Sequence, residues 1–286
     1  MNSSLLYPVS SASRRVVSLD GMWKFQFDPE SAGVGANWAN GLPAPVLMPV
    51  PSSFCDLFTD KDSREYCGDF WYETDFFVPG EWNGSDVVIR FGSATHRARV
   101  FVNGVEVTSH EGGFLPFNAD VTEIVRYNQY NKLAVLLNNE LNEYMLPAGR
   151  TAVLSNGKKV AAPYFDFYNY AGLQRPVKLL CLPKEQVTDF SVVHHLNGAD
   201  ADVDYTVVTN GDHDCVVEVY DAEGNKVAES TGKTGTLHIA NAHLWNVHAS
   251  YLYNFVVRIM DGTAIVDEYY EKIGVRTFEI KDGKFL

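Results

Sequence analysis

The sequence predicts an all-β protein made of two consecutive β-sandwiches. Three observations carry this expectation. Nearly every periodic segment alternates apolar and polar residues with period two, as half-buried strands do. No segment of twelve or more residues carries a helical stripe. The pattern is also broken once, at Leu182-Pro183-Lys184, where proline interrupts a strand and a polar stretch follows.

Read in order, Trp23, Phe25 and Phe27 share one face of a first strand, and Met22, Lys24 and Gln26 share the other. Tyr72, Thr74, Phe76 and Val78 repeat the pattern, with Glu73 and Asp75 facing away. Val87 to Phe91, Lys132 to Leu137 and Val177 to Leu182 add further strands. Between Val100 and Val107 the dipeptide Asn103-Gly104 signals a two-residue hairpin, because both central residues must tolerate positive φ. Asp120 to Val125 suits a single turn capped by Asp120. Long connections between these strands suit a jelly-roll sandwich over residues 1–183.

Beyond the proline, about seven short strands follow: Val187 to Val193, Val203 to Val208, Val216 to Tyr220, Lys226 to Glu229, Thr236 to Ile239, Tyr251 to Ile259 and Ile265 to Ile273. Turn signals such as Ala222-Glu223-Gly224-Asn225 separate them, which predicts an immunoglobulin-like sandwich over residues 184–276. The Cys…Trp…Cys hallmark is missing, so a disulfide-free version is expected. Residues 277–286 differ in kind. Phe278, Ile280, Phe285 and Leu286 continue an apolar alternation that stops without a partner, as if a further domain began there.

Composition narrows the function. The 286 residues are 46% hydrophobic and 21% charged, which excludes a disordered chain. Lys plus Arg is 23 against 36 Asp plus Glu, a net charge of −13 and the wrong sign for nucleic acid or an anionic membrane. No apolar run approaches the ~20 residues of a membrane helix, and residues 1–20 contain no signal-like apolar stretch, so a cytoplasmic location is expected. Cys55, Cys67, Cys181 and Cys215 lie far apart without a Cys-x-x-Cys pair and read as buried thiols.

Chemistry is sparse. Phosphate loops, zincin motifs and nucleophile elbows are absent. His194 and His195 are neighbours in a strand, so they point to opposite faces and cannot share a metal. His238, His243 and His248 have no spacing that converges them, and no metal site is expected. Two carboxylate segments remain. Asn138-Asn139-Glu140 closes a strand and could suggest a glycosidase acid. Tyr164-Phe165-Asp166-Phe167-Tyr168-Asn169-Tyr170-Ala171-Gly172 sets one carboxylate among aromatic rings, which suits a sugar because rings stack on C–H faces while the carboxylate fixes hydroxyls. The same cluster equally suits a strand edge packed on the core, or an interface.

At these residues the sequence resembles glycoside hydrolase family 2, and within it the β-glucuronidases. The matching stretches are Leu19-Asp20-Gly21-Met22-Trp23-Lys24-Phe25, Val50-Pro51-Ser52-Ser53-Phe54, Phe70-Trp71-Tyr72-Glu73, Val102-Asn103-Gly104 and His110-Glu111-Gly112-Gly113-Phe114. Asn138-Asn139-Glu140-Leu141-Asn142, Asp166 to Val177 and Ile273-Gly274-Val275-Arg276 continue the match. The resemblance departs after Trp245, where the prolines usual before Tyr251-Leu252-Tyr253 are missing.

This resemblance implies a jelly-roll sugar-binding domain, an immunoglobulin-like domain and a TIM barrel that carries two catalytic glutamates. The chain corresponds to the first two, so no catalytic residue is expected within it. It implies that Asp166 is a substrate-binding residue that reaches from the sandwich to the sugar, and that Glu140 is structural. The implied partners are a β-glucuronide substrate and the chain's own C-terminal barrel, with a homo-oligomer in the full-length form; no nucleic acid and no membrane are expected. Retaining hydrolysis needs no cofactor. The readings that compete are a free-standing carbohydrate-binding protein and the same portion of a β-galactosidase or β-mannosidase.

Overall fold

The computed structural model describes residues 6–285. Among them no helix is long and apolar enough to cross a membrane. The chain divides into two compact units, one of residues 16–181, the other from Leu182 onward together with the described residues up to Arg15.

In the first unit the strands are β1 (Arg15–Ser18), β2 (Gly21–Asp28), β3 (Val46–Val50), β4 (Asp69–Val78), β5 (Asp86–Phe91), β6 (Arg97–Val102), β7 (Val105–Glu111), β8 (Phe117–Asp120), β9 (Gln129–Asn138), β10 (Gly149–Val153), β11 (Lys159–Pro163) and β12 (Val177–Leu182). Two one-turn helices, α1 (Phe54–Leu57) and α2 (Lys61–Arg64), follow β3. A six-stranded sheet of order β3-β2-β4-β9-β6-β7 and a four-stranded sheet of order β1-β12-β5-β8 enclose one core, and β10 and β11 form a separate hairpin. This is the jelly-roll type of sandwich.

The period-two pattern explains the layers. Trp23, Phe25, Tyr72, Phe76 and Val135 from the larger sheet meet Ile89, Phe91, Val177 and Leu179 from the smaller, all buried. Burying one such side chain is worth about 1.5–3 kcal/mol, so slipping a strand by one residue would forfeit several of these at once. Asn103 (φ 52°) and Gly104 (φ 83°) both take positive φ and close the β6–β7 hairpin tightly. Asp120 caps its turn, accepting from the Thr122 N–H at 3.0 Å.

One strand face departs from expectation. Glu73 points away from the main core, yet it is only 1% exposed. The segment after β2 folds over that face, and Trp38, Ala39 and Leu42 make a second small core with Trp71, Phe101, Ala134 and Leu136. Glu73 there accepts from Lys24 Nζ (2.8 Å), Lys132 Nζ (2.6 Å) and the Leu42 N–H (2.8 Å). Burial pushes its pKa up, but the two ammonium groups and the N–H outweigh it and hold the carboxyl below its usual range.

The second unit contains β13 (Val187–Asn197), β14 (Asp200–Thr209), β15 (Cys215–Tyr220), β16 (Lys226–Thr231), β17 (Thr234–Ile239), β18 (Tyr253–Asp261) and β19 (Ala264–Ile273). Sheets of order β13-β14-β17 and β16-β15-β18-β19 pack over Val203, Tyr205, Val217, Leu237, Phe255 and Val257, an immunoglobulin-like sandwich. All four cysteines are buried free thiols. After Trp245, a tight turn closed by reciprocal backbone bonds between Asn246 and Ala249 occupies the place of the missing prolines.

Residues 6–15 clasp this unit. Leu6 and Val9 pack on its core. Arg14, 3% exposed, donates to both oxygens of Asp267, which is completely buried, and to the Val187 carbonyl. Ser13 Oγ and the Val187 N–H complete the shell around Asp267. Beyond β19, the apolar alternation of residues 277–286 does not run on as an unpartnered strand. It turns back on itself as β20 (Ile280–Lys281) and β21 (Lys284–Phe285), through Asp282 and Gly283 at positive φ; Leu286 lies outside the described residues.

Candidate functional site

The aromatic segment is the loop between β11 and β12. Hydrogen bonds fix both its ends: the Tyr164 N–H donates to the Ala148 carbonyl (3.1 Å), and the Ala171 N–H donates to Ser53 Oγ (3.2 Å). At Gly172, φ is +140° and an added Cβ would stand 2.7 Å from the Ser52 carbonyl oxygen, so only glycine brings the chain this close. Two further anchors hold the middle. Tyr168 donates its hydroxyl to the Arg64 carbonyl at 2.8 Å, and Asn169 reaches inward to His96 and to the Asn139 carbonyl.

Between these anchors Asp166 stands exposed, and among the described residues its carboxylate has no hydrogen-bond or ion-pair partner. Phe167 is 63% exposed, and its ring lies 4.4 Å from that of Phe165. The loop walls two depressions. One, of about 560 Å³, is lined by Asp166 together with Arg64, Glu65, Tyr66 and Asn139. The other, of about 340 Å³, lies toward Ser52, Asp56, Phe114, Tyr170 and Gln174. Phe165, Phe167, Tyr168 and Asn169 border both. Rings beside a free carboxylate, a guanidinium and amides form a surface able to stack on a sugar ring and hydrogen-bond its hydroxyls.

Residues 16–183 match the family described as "Glycosyl hydrolases family 2, sugar binding domain", and residues 185–276 match "Glycosyl hydrolases family 2". The chain belongs to glycosyl hydrolase family 2. Among family 2 relatives, a β-glucuronidase of Paenibacillus borealis is 36% identical across 99% of the chain, and one from Canis lupus familiaris is 37% identical across all of it. The crystal structure of Ruminococcus gnavus β-glucuronidase superposes with a TM-score of 0.98 at 56% identity, covering 100% of this chain and 49% of that one. That enzyme is also solved in complex with D-glucuronic acid. The chain spans about half the length of the curated relatives it matches.

As a family 2 member the chain holds its other candidate residues in structural settings. Glu140 is tied down by Lys159 Nζ (2.5 Å) and lies 3.9 Å from Arg97, bridging β11 to β6. His194 and His195 face opposite sides of β13: His195 pairs with Asp204 (3.1 Å), while His194 is half-buried. His238 pairs with Asp202 (2.8 Å) and His243 stacks on Tyr251. Among the described residues no group of three could hold a metal ion. Glu65 shares the larger depression with Asp166, but both stand exposed, whereas a glycosidase acid works from a dry, apolar pocket.

Sequence reasoning missed two groups here. Arg64 ends α2 and Glu65 caps it, and that helix is too short to show a periodic signal. His96 is fully buried, 73 positions before Asn169, and nothing local marks their pairing.

Proposed function

We propose that this chain is the substrate-positioning N-terminal half of a β-glucuronidase, in which Asp166 hydrogen-bonds a hydroxyl of the bound β-D-glucuronide. The observation that carries this reading is Asp166 itself: an exposed carboxylate, unpaired among the described residues, on a loop otherwise fixed at both ends and in the middle. A side chain kept free on a rigid support suits a ligand contact. The names of the relatives support glucuronide over galactoside or mannoside, since the matched relatives quoted above are β-glucuronidases.

The chemistry belongs elsewhere in this proposal. A retaining glycosidase places an acid/base and a nucleophile about 5–5.5 Å apart across the scissile bond, commonly at barrel strand ends. Asp166 contributes binding and orientation to that pair, and no cofactor takes part. Asp166→Ala in the full-length hydrolase should lower kcat/KM on p-nitrophenyl β-D-glucuronide about tenfold or more, the worth of a hydrogen bond to a charged group at about 1.5–3 kcal/mol. Unchanged kcat/KM would remove Asp166 from the site.

A further inference from the structure

One of the two anchors in the middle of the loop is an amide with a forced orientation. Asn169 Nδ2 donates to the Asn139 backbone carbonyl at 3.1 Å, an acceptor only, so its Oδ1 must face the other way. There it lies 2.7 Å from His96 Nε2. An amide oxygen accepts and cannot donate, so Nε2 carries the proton and His96 is the Nε2–H tautomer.

The second ring nitrogen agrees. Among the described residues no group hydrogen-bonds His96 Nδ1, which is buried. It faces Gly113, where an added Cβ would lie 2.7 Å away. A bare lone pair is tolerable there; an N–H would find no acceptor. Burial, together with Arg97, favours the neutral ring and outweighs the Asn169 bond, so the imidazole's pKa is pushed down. The ring is further fixed by its own backbone, with the His96 N–H on the Asn138 carbonyl and its carbonyl receiving the Gly112 N–H, and by Phe114 edge-on at 5.9 Å.

We propose that His96 is a positioning residue for the sugar-contacting loop, holding Asn169 through its Nε2–H and so fixing where Asp166 stands three residues earlier. This rests on the reading of Asp166 as a sugar contact. His96 itself touches no substrate. The ring is completely buried, its Nδ1 edge faces the Gly113 backbone, and it passes its position to the loop through the 2.7 Å bond to Asn169, beside the anchors at Asn139 and Tyr168.

The test has two parts. In the wild-type chain, ¹⁵N spectra of the imidazoles should show His96 neutral with its proton on Nε2; a proton on Nδ1, or averaging between both nitrogens, overturns the proposal without any variant having to fold. In the full-length hydrolase, His96→Leu should lower kcat/KM for p-nitrophenyl β-D-glucuronide by about ten- to a hundredfold, the cost of ångström-scale misplacement. His96→Gln, whose terminal amide can donate from the same place, should restore most of it. In an Asp166→Ala background His96→Leu should have no further effect. If Asp166→Ala matters and His96→Leu does not, or if the two losses simply multiply, the proposal falls while the sugar-contact reading stands. If Asp166→Ala has no effect, the reading falls and takes the proposal with it.

Discussion

In the second unit Asp267 is completely buried, and donors meet both oxygens: Arg14 twice, Ser13 Oγ and the Val187 N–H. In the first unit His96 is equally buried, but among the described residues only one of its ring nitrogens has a partner, and Ser93 and Thr95 nearby also bury hydroxyl oxygens without one. A satisfied buried charge locks a structure and offers nothing to a ligand. An incompletely satisfied polar cluster costs stability, and such groups persist where they hold a functional geometry. The first unit places this cluster directly behind its aromatic loop; the second uses its saturated pair to fasten residues 6–15 to β19.

The sharpest way to break this comparison is Arg14→Ala. It leaves Asp267 buried and unpaired, and should destabilise the second unit by about 3–5 kcal/mol. Hydrogen exchange should then speed up for core amides of β14 and β18 while β4 and β9 keep their protection. Equal loss in both units would show that the clasp is not local to the second.

Gly172→Ala attacks the other side. Its φ of +140° and the 2.7 Å approach to the Ser52 carbonyl should cost about 1–3 kcal/mol, confined to the first unit. Denaturant unfolding of the chain followed by amide exchange should show that the second unit is untouched.

A smaller effect separates the units by pH. His96 has a depressed folded pKa, so its contribution to the first unit is present above the unfolded value of about 6.5 and is lost as the pH falls toward the folded pKa. In the second unit His213 and His238 are raised, by Glu185 and Asp202 respectively, so their contribution is present below about 6.5 and is lost as the pH rises through their folded values. Half-buried His194 is lowered by burial and offsets part of this. Between pH 7.5 and 5.5 the first unit should therefore weaken relative to the second, read as diverging amide protection; parallel behaviour would contradict these assignments.

Much of the fold was legible because period two is a local signal. Trp23 to Phe27, the Asn103-Gly104 turn and the seven short strands of the second unit all sit where alternation and turn chemistry put them. Asp166 stood out for the same local reason, a lone carboxylate among rings. What escaped was pairing at a distance. Arg14 finds Asp267 across 253 positions and His96 finds Asn169 across 73, and no periodicity specifies such partners. Glu73 escaped because the segment that covers it, around Trp38 to Leu42, is irregular and carries no pattern to read. The pairing within the closing residues escaped because a run of alternating apolar residues looks the same whether a neighbour pairs with it or Asp282-Gly283 folds it onto itself.

In the proposed function this chain positions a sugar and performs no chemistry on it. Turnover of p-nitrophenyl β-D-glucuronide by the isolated 286-residue chain tests it most directly. Release of p-nitrophenol should be indistinguishable from buffer at any protein concentration; a rate that scales with the amount of chain would overturn the proposed function.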